Sequence, residues 1–174
     1  VLAHPEYTLS PEETLRLADK LAQMTAGVPL PYVLGSWEFY GLSFKISPQV
    51  LIPRPETELL VETALEWLQA RPDRRRAAEA GTGSGCIAVS LAANIPDLEL
   101  VATEISPAAA AIARENAARH QVHARLRVLV NDLLEGLPGP FDLIAANLPY
   151  IPSETLRQLP VYRHEPALAL DGGE

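Results

Sequence analysis

The sequence predicts an α/β fold, in which helices pack on a parallel sheet that follows a small helical segment and a β-hairpin. From residue 76 to residue 146, apolar segments of strand length alternate with apolar or alanine-rich segments of helix length. This alternation is typical of parallel sheets. Of the 174 residues, 48% are apolar and 21% are charged, which is the composition of a globular protein.

The first 70 residues are predicted to form a helix, a hairpin and a second helix. Ser10 is an N-cap candidate followed by a proline and a capping-box acid, so a helix is expected over residues 10–27. Apolar residues alternate with polar or small ones around Tyr40-Gly41, which predicts the hairpin. Two prolines then delay the next helix, which is expected over residues 56–70.

The rest of the chain supplies the parallel sheet. The predicted strands cover residues 76–80, 98–103, 126–130 and 141–146, and the predicted helices between them cover residues 86–94 and 106–120. Right-handed crossovers place the carboxyl ends of all these strands on one edge, where such sheets bind ligands. Functional residues are therefore expected in the loops that follow the strands.

Charge and cysteine content argue against several classes of protein. Fourteen Lys and Arg against 22 Asp and Glu give a net charge of −8, so no direct nucleic-acid partner is expected. The single Cys86 allows no internal disulfide, which suits the reducing cytoplasm. No membrane association is expected, because the longest uncharged apolar stretch, residues 86–96, is about half of a membrane span. The histidines share no metal-ligand spacing, so no metal site is expected; they are His4, His120, His123 and His164.

A glycine-rich turn, Glu-Ala-Gly-Thr-Gly-Ser-Gly-Cys at residues 79–86, joins the first strand of the sheet to its helix. Glycines let the backbone approach a ligand closely. A dinucleotide fingerprint would need glycine in place of Cys86, and a P-loop would need Gly-Lys after a longer spacer. An acid at Glu79 instead suits a ligand with a positive amino or sulfonium group. A tight turn without a ligand is the alternative. The candidate binding residues are Gly81, Thr82, Gly83, Ser84 and Gly85.

Acidic residues follow the second and third strands of the sheet. Glu104 can accept both hydroxyl protons of a ribose, and a solvated cap is the alternative. Asp132 is placed to reach an adenine amino group, with Leu133 able to pack on the ring. For Asp132 the alternative is an Asx turn or a helix cap.

The fourth strand is followed by Asn147-Leu148-Pro149-Tyr150. The Asn147 amide oxygen and the Leu148 carbonyl can accept the two N–H bonds of an amino group, while Pro149 stiffens the loop and Tyr150 can stack on a planar group. These residues predict a clamp for a planar nitrogen nucleophile, although a turn with a packed tyrosine is the alternative. Asn147, Pro149 and Tyr150 are the candidate catalytic residues, and Leu148 joins them in binding substrate.

Residues 79–150 resemble a class I methyltransferase that uses S-adenosylmethionine and has a Rossmann-like sheet. The wider chain resembles the HemK-type glutamine methyltransferases, which modify peptide chain release factors in translation termination. The most family-specific stretch is Ile-Pro-Arg-Pro-Glu-Thr-Glu, residues 52–58, and the similarity extends to residues 27–35, 39–41 and 165–170.

The resemblance implies that S-adenosylmethionine is the cofactor. It implies that residues 81–85 hold the methionine end, that Glu104 holds the ribose, and that Asp132 and Leu133 lie beside the adenine. Residues 147–150 would then clamp the glutamine of the Gly-Gly-Gln motif of class I release factors, with Asn147 also beside the cofactor. The enzyme is expected to be a cytoplasmic monomer.

Two departures from the family keep other functions open. The family usually has Asp-Leu-Gly at residues 79–81, and it has proline where this chain has Leu148. The resulting Asn-Leu-Pro-Tyr resembles the motif of the RNA adenine dimethylases. There are therefore two alternatives: an adenine N6 methyltransferase that acts on DNA or RNA, and a cofactor-binding module with weak catalysis.

The resemblance also predicts a domain organisation. Residues 1–35 would be part of an N-terminal helical substrate-recognition domain, residues 36–70 a β-hairpin and linker helix, and residues 71–174 the N-terminal part of the catalytic domain. The family's sheet has seven strands, and the sequence predicts four of them. The sheet is therefore expected to be incomplete at the C-terminus, with about three strands after Glu174 and helices before Val1.

Overall fold

The computed structural model describes residues 7–174. Its helices are α1 (Pro11–Thr25), α2 (Leu30–Leu34), α3 (Glu58–Gln69), α4 (Cys86–Asn94), α5 (Pro107–Arg119) and α6 (Ser153–Leu156). Its strands are β1 (Ser36–Phe39), β2 (Leu42–Lys45), β3 (Arg76–Ala80), β4 (Glu99–Glu104), β5 (Leu126–Val130), β6 (Leu143–Ala146), β7 (Ile151–Pro152) and β8 (Asp171–Gly173). Across the described range, no helix has both the length and the apolar character needed to cross a membrane.

The central sheet has four strands in the order β5-β4-β3-β6. Each neighbouring pair is parallel, so the carboxyl ends of all four strands share one edge. The predicted α/β fold with a Rossmann-like sheet is confirmed. The candidate residues that follow these strands are consequently brought to one side of the molecule, although they are far apart in sequence.

Small side chains allow the helices to lie close to the sheet. Ala88 and Ala92 of α4 and Ala110 and Ala113 of α5 are fully buried. A Cβ at Gly85 would lie 3.2 Å from the Cβ of Ala113. Gly85 therefore has a packing role, because it lets the start of α4 approach α5.

The β1–β2 hairpin is attached to α5. Its turn residues Tyr40 and Gly41 have φ values of 50° and 70°, the left-handed conformation of a tight two-residue hairpin turn. The fully buried Asn116 of α5 accepts a hydrogen bond from the Lys45 N–H at 2.7 Å and donates to the Ser84 carbonyl at 2.8 Å. One amide thus joins the hairpin to the glycine-rich turn.

Several elements differ from the sequence prediction. The short helix α2 was not among the predicted elements. Pro31 stands in its first turn, where a missing N–H costs nothing. The helix expected from residue 56 begins at Glu58, after a 3-10 turn over Pro55–Thr57. The fourth strand begins at Leu143 rather than at residue 141, because the Asp142 carboxylate accepts hydrogen bonds from the N–H groups of Arg75 and Arg76 at the start of β3.

Candidate functional site

Two neighbouring cavities open at the carboxyl edge of the sheet. The first, which we call the glycine-turn cavity, has a volume of about 290 Å³ and is lined by residues from the loops after all four strands. The second, the Tyr150 cavity, has a volume of about 280 Å³. Both volumes lie near the lower end of the range for small-molecule sites, roughly 300–1,000 Å³. The two cavities share Leu51, Arg54, Thr57, Asn147, Leu148 and Ala169.

The glycine-turn cavity contains most of the residues that the sequence predicted for the site. Only Gly85 and Tyr150 are absent from its lining. Gly85 lies behind it against Ala113, and Tyr150 lines the neighbouring cavity. A larger groove between α3 and the outer edge of β6 contains none of the predicted site residues.

The glycine-rich turn needs glycine for two separate reasons. Gly81 and Gly83 have φ values of 69° and 56°, a region that disfavours residues with a Cβ. A Cβ at Gly81 would also lie 2.9 Å from Cδ2 of Leu148. The turn and the loop after β6 are therefore in direct contact at the centre of the site.

Glu79 lies beneath the turn with only 1% of its surface exposed. One of its oxygens accepts hydrogen bonds from the Thr82 hydroxyl at 2.6 Å and from the Ala88 N–H at 3.0 Å. Burial raises the pKa of Glu79 to about 8, and the nearby charge of Glu104 adds to the rise, while the two hydrogen bonds oppose it. Glu79 thus supports the turn from the protein interior. With this pKa, its carboxyl group is mostly protonated at neutral pH.

The pKa of Glu79 predicts a pH-dependent stability. Between the free side-chain value of 4.5 and the folded value of about 8, the folded chain keeps a proton that the unfolded chain has lost. The Glu79 contribution to the free energy of unfolding should therefore fall as pH rises through this window, by up to about 1.4 kcal/mol per pH unit. Above pH 8 it should level off.

Glu79→Gln tests this contribution, because glutamine keeps an oxygen acceptor for Thr82 and Ala88 and does not titrate. Urea unfolding at pH 5, 6, 7 and 8 measures the difference in unfolding free energy between wild type and variant. That difference should shift in favour of the variant as pH rises. A difference that is the same at every pH contradicts the assignment.

Glu104 ends β4 at the edge of the cavity and is 8% exposed. Its two carboxylate oxygens accept hydrogen bonds from the Gly83 N–H at 2.8 Å and the Ser106 N–H at 3.0 Å. Glu104 is therefore a fixed acceptor rather than a solvated cap. Each oxygen retains acceptor capacity after these bonds, and the side chain lines the glycine-turn cavity.

The loop after β5 places Asp132 and Leu133 in the lining of the cavity. Its backbone is held by Asn131, whose side-chain amide donates to the carbonyls of Asp132, Leu133 and Glu135 at 3.2, 3.2 and 3.0 Å. The Asp132 carboxylate forms no hydrogen bond with any described residue between 7 and 174, so neither a cap nor an Asx turn accounts for it. Sequence reasoning missed the role of Asn131.

The loop over residues 147–150 is supported from behind by the last strand. β7 and β8 form a parallel pair, and a Cβ at Gly172 would lie 2.9 Å from Cα of Tyr150. On its other side, the Asn147 amide nitrogen donates to the Thr57 hydroxyl at 3.3 Å. Tyr150 itself lines the Tyr150 cavity, and 79% of its surface is exposed.

Arg54, which lines both cavities, is held by an ion pair with Glu165. Glu165 accepts hydrogen bonds from the Ile52 N–H at 3.0 Å and from the Arg54 guanidinium at 2.5 Å, and its side chain is 5% exposed. The sequence singled out both segments but did not predict that they pair, because more than a hundred positions separate them.

The remaining candidate groups are the histidines and Cys86. Within residues 7–174 no group of three His, Cys, Asp or Glu side chains could hold a metal ion, and His4 lies outside the described residues. Burial raises the pKa of the Cys86 thiol to about 12, to which the Glu79 charge also contributes. The thiol therefore stays protonated and poorly reactive at neutral pH.

Sequence comparison places the chain in a protein family. A sequence model for the family described as Methyltransferase small domain matches residues 55–159. The chain belongs to this family. The match includes β3 to β6 and the loops that follow these strands, whereas the Arg54–Glu165 ion pair and β8 lie outside it.

Curated relatives extend the similarity across the chain. A protein from Moorella thermoacetica, named release factor glutamine methyltransferase, is 45% identical over 99% of this chain and 62% of its own length. A protein of the same name from Bordetella pertussis is 47% identical over 88% of this chain and 57% of its own length. The resemblance seen in the sequence is confirmed, and the chain spans about three fifths of the length of these relatives.

A solved structure shows a similar fold. The N-terminal domain of human METTL16 in complex with SAH has a TM-score of 0.51 and 25% sequence identity, over 66% of this chain and 49% of that chain.

Proposed function

We propose that the chain is part of an enzyme that methylates the side-chain amide nitrogen of the Gly-Gly-Gln glutamine in class I peptide chain release factors, with S-adenosylmethionine as cofactor. One observation carries the proposal: Asn147 and Leu148 line both cavities. A nitrogen held by these residues would lie between one cavity suited to a cofactor and another suited to a substrate side chain. The names of the curated relatives support the substrate.

The residues of the glycine-turn cavity fit S-adenosylmethionine. Gly81 and Gly83 present backbone without a Cβ, Glu104 retains acceptor capacity for ribose hydroxyls, and the Asp132 carboxylate is available to an adenine amino group. Glu79 also lines this cavity, from its position beneath the turn. When bound, this cofactor supplies a methyl group attached to a positively charged sulfur.

The loop over residues 147–150 would hold the glutamine amide. The Asn147 amide oxygen and the Leu148 carbonyl would accept the two N–H bonds, which leaves the nitrogen lone pair directed at the cofactor side. Because positive charge would grow on the nitrogen as the N–C bond forms and the methyl–sulfur bond breaks, both hydrogen bonds would strengthen in the transition state. The nitrogen would then release one of its two protons to solvent. Positioning would supply most of the remaining acceleration. Pro149 stiffens the loop, and Tyr150 would pack on the planar amide.

The organisation of the chain supports a protein substrate. We assign residues 1–35 to a helical substrate-recognition domain, residues 36–70 to a hairpin and linker helix, and residues 71–174 to the catalytic domain. Leu15 and Leu21 of α1 are 72% and 53% exposed, which suits contact with protein. A net charge of −8 disfavours a nucleic-acid substrate. We place the enzyme in the cytoplasm as a monomer.

Methyl transfer from labelled S-adenosylmethionine by the full-length protein tests the proposal. The acceptors are a class I release factor, its variant with glutamate in place of the Gly-Gly-Gln glutamine, and an adenine-containing oligonucleotide. We expect label only on the unaltered release factor. Label on the oligonucleotide alone would identify an adenine methyltransferase and reject the proposal, and no label on any acceptor would identify a module with little catalysis.

Gly81→Ala is predicted to weaken cofactor binding by at least tenfold. The added Cβ meets Leu148 at 2.9 Å and forces a residue with a side chain to φ 69°, a conformation that costs about 1–2 kcal/mol. Calorimetric titration with S-adenosylhomocysteine measures the affinity. Gly41→Ala is the matched control, because Gly41 has φ 70° and nothing within 4 Å of an added Cβ. Equal affinities of the two variants would refute a role for the Gly81 contact.

A further inference from the structure

The described residues that line the glycine-turn cavity carry an uneven set of charges. Arg54 is the only cationic side chain among them, whereas four are acidic: Glu79, Glu104, Asp132 and Asp171. S-adenosylmethionine carries a positive sulfur, a positive amino group and, on its methionine portion, a negative carboxylate. The acids suit its hydroxyl and positive groups. Arg54 is therefore the one side chain in this lining whose charge suits the carboxylate.

Arg54 lies at the end of the cavity where methyl transfer would take place. Asp132, Leu133 and Glu104, the candidates for adenine and ribose, line only the glycine-turn cavity. Arg54 and Asn147 line both cavities. The methyl group and the methionine chain of the cofactor are attached to the same sulfur. A methyl group presented to a nitrogen beside Asn147 would therefore bring the methionine portion, with its carboxylate, to the end that contains Arg54.

Backbone N–H groups of the glycine-rich turn are the other donors that could hold an anion. Three of them already have acceptors within the protein, each at 2.8 Å: the Thr82 N–H donates to the Thr103 carbonyl, the Gly83 N–H to the Glu104 carboxylate, and the Gly85 N–H to the Thr82 carbonyl. These bonds stabilise the turn. They also leave fewer backbone donors for a carboxylate, which strengthens the case for a side chain.

The Arg54 side chain is held in place but only partly used. Buried Glu165 accepts one hydrogen bond from the guanidinium, and its other oxygen accepts from the Ile52 N–H. The remaining guanidinium N–H groups bond to no other residue between 7 and 174. Pro55 restricts the residue before it to extended backbone, and Arg54 has φ −97° and ψ 140°. Arginine has five N–H donors, so it can bond to Glu165 and to a second carboxylate together.

We propose that Arg54 binds the carboxylate on the methionine portion of S-adenosylmethionine. The inference rests on the cofactor of the proposed function and adds a binding residue that precedes α3, outside the loops that follow the strands. It also gives the ion pair a purpose, because Glu165 holds the guanidinium where the two cavities meet. Hydrogen bonds between charged partners are stronger than neutral ones, so the contact should be measurable with ligand alone.

Two ligands and two variants test the assignment in the full-length protein. The ligands are S-adenosylhomocysteine and its decarboxylated analogue, which keeps the adenine, the ribose and the amino group. Arg54→Gln removes the cation but leaves buried Glu165 unpaired, so a second variant combines Arg54→Gln with Glu165→Gln. Arg74→Gln is the matched control, because Arg74 also pairs with an acid, Asp142, at 3.2 Å and lines neither cavity. Thermal unfolding checks that each variant is folded.

Calorimetry gives the affinity of each protein for both ligands. Wild type and Arg74→Gln should bind S-adenosylhomocysteine roughly 10- to 100-fold more tightly than the analogue, the range for hydrogen bonds to a charged group. Both Arg54 variants should lose most of this preference. Their affinity for the analogue should stay within about twofold of wild type, because its remaining contacts are independent of Arg54. Removal of an acid alone cannot lower the preference for a carboxylate, so a loss in the double variant reports on Arg54.

The outcomes separate this inference from the proposed function. If wild type binds both ligands equally, or if both Arg54 variants keep the wild-type preference, the assignment of Arg54 is wrong and the proposed function stands. If the preference behaves as expected but the release factor is not methylated, Arg54 keeps its role and the proposed substrate is wrong. If wild type binds neither ligand, both proposals are overturned.

Discussion

Asn147→Ala is expected to lower the rate of glutamine methylation by roughly 10²–10³-fold, the usual cost of removing one preorganised transition-state contact. The variant loses the acceptor that would hold one N–H of the substrate amide, and it leaves the Thr57 hydroxyl without its partner. Affinity for S-adenosylhomocysteine should stay within a few fold, because Glu104 and the glycine-rich turn are untouched. Single-turnover methylation of a release factor and calorimetry measure the two quantities.

Asn94→Ala serves as the matched control for this prediction. The Asn94 amide donates to the Ser90 carbonyl within α4 at 2.9 Å, and the side chain lines neither cavity. It should therefore leave the rate unchanged. A near-normal rate for Asn147→Ala would remove Asn147 from the reaction. A rate that falls only in proportion to cofactor affinity would instead assign Asn147 to cofactor binding alone.

The central sheet could be predicted from sequence because its signals are local. Helix α4 has the predicted bounds, and β3 and β5 match the predicted strands at both ends. Buried parallel strands appear in sequence as short apolar runs, and α5 begins after a serine that accepts from the Ala109 N–H. Boundaries of this kind depend on neighbouring residues alone, so one sequence is enough to place them.

The short elements after residue 150 could not be predicted in the same way. Strands β7 and β8 have two and three residues, and each exists because the other is beside it. Gly172 packs against the backbone of Tyr150, with an added Cβ placed at 2.9 Å. Neither residue carries a local signal of that contact. The pairing of β7 with β8 therefore supports the candidate clamp.

The candidate site, like the fold, could be predicted only in part from the sequence. Loops that follow parallel strands must meet at one edge, so the predicted residues from Gly81 to Pro149 could be brought together by topology alone. Their roles in binding and catalysis stay predictions. The contacts of Thr57 with Asn147 and of Arg54 with Glu165 join segments about 90 and 111 positions apart. Residues 52–58 stood out as a motif, but only the fold assigns them partners.

Glu104→Ala is expected to weaken the binding of S-adenosylhomocysteine by about 1–3 kcal/mol, the cost of leaving hydroxyl groups without a charged acceptor. The weaker binding would have a second cause, since the same carboxylate accepts hydrogen bonds from the N–H groups of Gly83 and Ser106 at 2.8 and 3.0 Å. Alanine would therefore loosen the glycine-rich turn as well. Calorimetry gives the affinity, and urea unfolding gives the stability without ligand.

Glu104→Gln separates the two causes. Glutamine keeps one oxygen acceptor but replaces the other with a donor and removes the charge, so it should recover part of the stability and little of the affinity. Glu99→Gln on the same strand is the matched control, because Glu99 is exposed at the opposite end of β4 and lines neither cavity. If Glu104→Gln binds as tightly as wild type, the carboxylate only supports the turn. Glu104→Gln could instead be as stable as wild type and bind S-adenosylhomocysteine as weakly as Glu104→Ala. Glu104 would then act as the acceptor for the ribose, because loss of support for the turn would lower the stability as well as the affinity.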